Sequence, residues 1–76
     1  MTVSQYIEID PRRCNGKPVV AGTRIPVTVV LDQLADAGSI EELLRRYPEL
    51  THDGIVGVLR YCNAVIAHTD VELATA

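Results

Sequence analysis

The sequence predicts a small α+β domain, with an N-terminal β-hairpin of short strands followed by a three-helix bundle. Three observations carry that prediction. Short apolar runs bounded by turn residues are confined to about residues 6–25. From Val27 onward the apolar residues recur at the helical period. Helix start and stop signals, among them Pro26, Gly38, Ser39, Pro48 and Thr51, then divide this second part into three.

The first strand is read at residues 6–9, Tyr6-Ile7-Glu8-Ile9, and ends at Asp10-Pro11. The residue before a proline is pushed out of the helical region, and proline cannot donate to a strand ladder. Arg12 to Gly16 form a loop in which Asn15-Gly16 is a turn dipeptide. Pro18 to Ala21 read as a second strand, Gly22-Thr23 as a two-residue hairpin turn with glycine at its first central position, and Arg24-Ile25 as the short return strand. Pro26 pre-sets φ for a helix over 27–37, whose face is Val27, Val30, Leu31 and Leu34. Gly38 ends it as a left-handed cap. Ser39-Ile40-Glu41-Glu42 is a capping box that opens a helix over 40–47, stopped by Tyr47-Pro48. Thr51 caps a third helix over 52–68, with Asp53 favourably placed on its dipole.

The third helix is the unusual one. Ile55, Val58, Leu59, Cys62, Val65 and Ile66 form one stripe, and Val56, Tyr61, Ala64 and Ala67 extend it to a second face. A helix apolar over that much of its circumference requires two partners. Residues 70–76 carry no turn or cap signal and read as a frayed tail or a helix extension. The expected core is Ile25, Val30, Leu31, Leu34, Ile40, Leu43, Leu44, Leu50, Ile55, Leu59 and Cys62. Neither a repeat nor a linker interrupts the chain, so residues 1–76 are one domain.

Size and composition narrow the function. A chain of 76 residues buries only about 60% of the surface its unfolded form exposes, so a homodimer is expected. Helix 3 is the first choice of interface, and edge pairing of the N-terminal strand the second. With three tyrosines and no phenylalanine or tryptophan, the chain lacks an aromatic platform for single-stranded nucleic acid. A net charge of −3 opposes nonspecific DNA binding. The cations are unevenly placed, however: Arg12, Arg13, Lys17 and Arg24 fall in one short stretch and are the candidate residues for contacting a partner or nucleic acid. The start of the chain lacks the features of a signal peptide, and no apolar run approaches the ~20 residues that span a bilayer. A cytoplasmic location, no membrane association and two free thiols, Cys14 and Cys62, are expected by default.

Chemistry is sparse. Cys14, Cys62, His52 and His68 match no metal-ligand spacing. Cys14 lies beside Arg12 and Arg13, but no general base accompanies it. No catalytic residue, metal or cofactor is therefore expected, and the chain reads as a non-enzyme. Arg24 follows the hairpin turn and has two readings: a projecting cation for an acidic partner or phosphate, or a structural pair with Asp10 or a helix carboxylate.

Several runs are more specific than these general features. They are Ile9-Asp10-Pro11, Gly16-Lys17-Pro18-Val19-Val20, Gly22-Thr23-Arg24-Ile25-Pro26-Val27, Ala37-Gly38-Ser39-Ile40-Glu41-Glu42-Leu43, and Tyr47-Pro48-Glu49-Leu50-Thr51 with Ile55 and Leu59. Together they resemble the domain-of-unknown-function 433 family over about residues 6–68. One stretch departs: where the family carries Glu-Asp-Ile after the capping threonine, this chain has His52-Asp53-Gly54-Ile55. The resemblance implies a helix-turn-helix-like fold and no enzymatic activity. It further implies an antitoxin of the VapB type that binds and neutralises a PIN-like ribonuclease toxin in a type II toxin–antitoxin pair. The alternative is a helix-turn-helix regulator of DNA, acting on its own operon. Helix 3 would then present His52, Asp53 and Val56 to the groove, although recognition helices usually begin with Arg, Lys, Asn or Gln. Weak DNA binding at most is expected, through Arg12, Arg13, Lys17 and Arg24.

Overall fold

The computed structural model describes residues 2–12 and 14–75, and the side chains of residues 5–12 and 15–68. Three short strands, β1 (Thr2–Ser4), β2 (Ile7–Glu8) and β3 (Val19–Val20), precede three helices, α1 (Val27–Ala37), α2 (Ile40–Arg46) and α3 (His52–Thr75). The chain is thus α+β, sheet first and helices after, as its pattern predicts. The sheet is antiparallel in the order β1-β2-β3. Ile7 lies opposite Val20 and Glu8 opposite Val19.

Local chemistry accounts for most boundaries. Asn15 and Gly16 have φ of 56° and 77°, and positive φ at both central residues suits the Asn-Gly pair. Ser39 Oγ accepts from the Glu42 amide at 3.1 Å and starts α2. The Glu42 carboxylate itself is engaged by Arg45 at 3.0 Å. Gly38 adopts φ 82° and closes α1, its amide donating to the Leu34 carbonyl at 2.9 Å. Thr51 Oγ1 accepts from the Gly54 amide at 3.0 Å and caps α3. A Cβ at Gly54 would sit 3.0 Å from that hydroxyl, so glycine at this position leaves room for the cap.

The hairpin differs from expectation. The turn runs from Val20 to Thr23, with the Thr23 amide donating to the Val20 carbonyl at 3.0 Å. Gly22, at φ 79°, therefore takes the second central position rather than the first. The return segment pairs with β3 only through the Val19–Pro26 bridge and the hydrogen bond from the Val20 amide to the Ile25 carbonyl. Proline has no amide to continue a ladder. A strand unseen in the sequence pattern, β1, pairs on the other side of β2 through an irregular register. At the other end of the chain, α3 does not stop near residue 68 but continues to Thr75. No glycine or proline follows Gly57, so nothing local breaks the helix.

The core is Ile7, Val20, Val27, Val30, Leu43, Leu50, Ile55 and Val58, where sheet and helices meet. Val30, Leu43, Leu50 and Ile55 are as expected. Ile25, Leu31, Leu34, Ile40, Leu44 and Cys62 are half-buried around that centre. Leu59 is 37% exposed, while its neighbour Val58 is fully buried. The reason lies in α3, whose Gly54 and Gly57 are both buried. A Cβ at Gly57 would fall 2.5–2.7 Å from the ring and Cβ of Tyr6. The glycine side of the helix is the one pressed on the sheet segment, and Leu59 is turned away from the core.

Candidate interaction surfaces

Two surfaces stand out. The first is the turn between β3 and α1, which is held from several sides. Thr23 Oγ1 donates to the Val20 carbonyl at 2.8 Å and accepts from the Ile25 amide at 3.0 Å. The Glu8 carboxylate reaches across from β2 to accept from the Gly22 amide at 2.9 Å. These bonds fix the backbone on both sides of Arg24, which is exposed. Arg24, Thr23, Ile25 and Glu49 line an open depression of about 490 Å³. Ion pairs among the described residues include Arg45–Glu42 and Arg46–Asp36, and His52 lies 3.7 Å from Asp53. Arg24 belongs to none of them, so of its two readings the structural pair with Asp10 or a helix carboxylate is not formed among these residues.

The other expected cations are not gathered around it. Arg12 is exposed, and its amide donates to Asp10 Oδ1 at 2.9 Å. Lys17 is exposed and lies next to Pro18, which lines a different surface. Arg13 lies outside the described residues. Neither Arg12 nor Lys17 lines the depression beside Arg24. The turn locks Thr23 and Glu8 were not singled out as candidates from the sequence. A threonine directly after a turn glycine was the available signal, since its hydroxyl can bond nearby backbone.

The second surface is an apolar groove of about 280 Å³ between α1 and α3. Val27, Thr28 and Leu31 form one wall, Tyr61, Cys62, Val65 and Ile66 the other, together with Pro18. No charged side chain lines it. Val65 and Ile66 are 48% and 56% exposed, large values for aliphatic side chains on a helix this long. Cys62, Val65 and Ile66 belong to the first apolar stripe read on α3, and Tyr61 to the second face.

Cys62 lies in the groove, and burial pushes its thiol pKa up. The thiol therefore stays protonated at neutral pH, and the thiolate is the reactive form. Alkylation by iodoacetamide at pH 8, followed by site-resolved mass spectrometry, is expected to be slower at Cys62 than in urea, with a rate–pH midpoint above the ordinary value of ~8.5. The folded state holds this proton more tightly than the unfolded one. Its contribution to stability is thus full below that ordinary value and is lost as pH rises above it. A Cys62 rate equal to that of the unfolded chain would contradict this.

Among the described residues no group of three or more His, Cys, Asp or Glu is placed to hold a metal. No helix is long and apolar enough among them to cross a membrane. At the start of α3, His52 and Asp53 are exposed while Gly54 is buried. Arg45 and Arg46, at the end of α2, are engaged by Glu42 and by Asp36 with Gln33.

Residues 7–62 match the family model described as protein of unknown function, DUF433. The chain belongs to the DUF433 family. The matched stretch holds the Arg24 turn and one wall of the groove, and ends at Cys62 within the other. No curated protein matches this DUF433 chain. The crystal structure of a DUF433 member protein from Anabaena variabilis ATCC 29413 is similar, with a TM-score of 0.74 and 29% identity. The likeness covers 95% of this chain and 71% of that one, so the long α3 is included in it for the most part.

Proposed function

We propose that this DUF433 chain is the neutralising member of a type II toxin–antitoxin pair, binding a PIN-like ribonuclease without chemistry of its own. The observation that supports this reading is Arg24, an exposed guanidinium on a turn whose backbone is already fixed by Thr23 and Glu8. A metal-dependent nuclease gathers carboxylates in its active site. A guanidinium binds carboxylates bidentately, and a pre-ordered turn loses little entropy on docking. The location that goes with this role is the cytoplasm, where such a toxin would act.

Co-expression with the adjacent reading frame tests it. Growth rescue and co-purification are expected. Arg24→Ala is expected to weaken the complex ~30-fold or more, the loss typical of a central arginine at an interface, with the thermal midpoint of the free domain unchanged. If the neighbouring product is harmless when expressed alone and does not co-purify, the reading is wrong.

A further inference from the structure

We propose that the groove between α1 and α3 is occupied by α3 of a second copy of this chain, the two helices running antiparallel about a two-fold axis near Ile66. This inference does not rest on the antitoxin reading. Three observations lead to it.

The first is length. The 24 residues of α3 extend about 36 Å at 1.5 Å per residue, and the longest dimension of the molecule is 42 Å. From Asn63 to His68 every residue is exposed, so the second half of the helix runs beyond the body that covers its first half. An isolated segment of this size is marginal in water without tertiary packing.

The second is spacing. Ile55, Leu59, Cys62, Ile66, Thr69 and Leu73 alternate steps of four and three residues, the repeat of a helix–helix seam. The chain's own body buries only the start of that seam: Ile55 is fully buried, whereas Leu59 and Ile66 are 37% and 56% exposed. The same helix supplies one wall of the groove and a ridge able to fill it. A single patch used twice satisfies both, which is the requirement of an isologous interface.

The third is charge. The last turns of α3 contain Asp70 and Glu72 in sequence and no base in the final turn. That is the wrong sign for the negative end of a helix dipole, which favours cations. Lys17 is exposed beside Pro18 of the groove, with no ion pair among the described residues. An antiparallel arrangement carries the acidic helix end of each copy back over the body of the other, toward the side where Lys17 stands. A parallel one would bring two acidic ends together.

Sedimentation of the full chain alone, between about 1 and 100 μM, tests the proposal. A particle near twice the 8.3 kDa chain mass is expected. Ile66→Glu, at an exposed position, is expected to raise the dissociation constant ~100-fold or more while helical circular dichroism is retained. Lys17→Glu is expected to weaken the dimer about tenfold at low salt. The triple variant Lys17→Glu, Asp70→Lys, Glu72→Lys is expected to restore it, because both partners of each pair are reversed together. This last comparison holds even if Ile66→Glu fails to fold. A monomer over the whole range, a dimer indifferent to Ile66→Glu, or a charge reversal that does not restore association would each overturn the proposal. So would a monomeric chain whose Ile66→Glu variant loses the ribonuclease instead, since the groove would then belong to that partner.

Discussion

Replacing Gly57 by alanine is expected to lower the thermal midpoint by about 10 °C, although alanine is the better helix former. On an open helix face the change would gain up to ~1 kcal/mol. Here the added methyl would sit 2.5 Å from Tyr6 Cδ2, 2.6 Å from Cγ and 2.7 Å from Cβ. Two of those atoms are close to the backbone of the segment entering β2, so the ring cannot simply swing aside. Tyr6 is tied at that point, since its carbonyl accepts from the Ala21 amide at 2.8 Å. Overpacking of this kind costs about 1–3 kcal/mol, and each kcal/mol lowers the midpoint of a domain this size by about 4–8 °C. A double-mutant cycle isolates the cause. In a Tyr6→Gly background all three opposing atoms are gone, and Gly57→Ala is expected to become neutral or stabilising as the helix propensity takes over. A Gly57→Ala midpoint equal to or above that of the parent chain, with Tyr6 intact, would refute the close approach.

Ile55→Ala is expected to cost about 3–4 kcal/mol, within the range for emptying a fully buried aliphatic site. Ile55 is fully buried in the cluster that joins β2, α1, α2 and α3. A chain of 76 residues has about 4–11 kcal/mol of stability at ~0.05–0.15 per residue. This one change is thus expected to bring the domain close to unfolding at 37 °C. Leu59→Ala is the informative comparison, since Leu59 shares the helical stripe with Ile55 but is 37% exposed. Its loss is expected to be less than half as large, measured by urea denaturation at one fixed protein concentration. Equal losses at the two positions would mean that α3 is rotated so that Leu59 is as buried as Ile55.

The helices were legible because their signals are local. Pro26, Gly38, the Ser39 cap, Pro48 and the Thr51 cap each act through a side chain or a φ preference within a turn of their own position. The boundaries of α1 and α2 followed from them to within a residue. The Asn15-Gly16 turn was legible for the same reason. The strands were harder. β2 and β3 have two residues each, too few for a period to show. Their identity comes from pairing across the Arg12–Pro18 loop, which is a non-local property.

The resemblance carried by the Gly22–Val27 and Tyr47–Thr51 runs identified the family, but it could not place side chains. By itself the sequence determined that this chain is α+β, where its helices begin, and that α3 is apolar over more than one face. The tertiary structure alone decided which part of that surface is used. Gly57 against Tyr6 sets the rotation of α3, burying Val58 and turning Leu59 outward. It also decided where Lys17 and Arg24 stand. Sequence places Arg12, Lys17 and Arg24 within a short stretch, whereas the reversals at Asn15-Gly16 and Gly22 send Lys17 to the side of the apolar groove and Arg24 to the fixed turn. Proximity along a chain is set by covalent bonds. Proximity in space is set by which faces the core must bury, and only the folded arrangement satisfies all of those demands together.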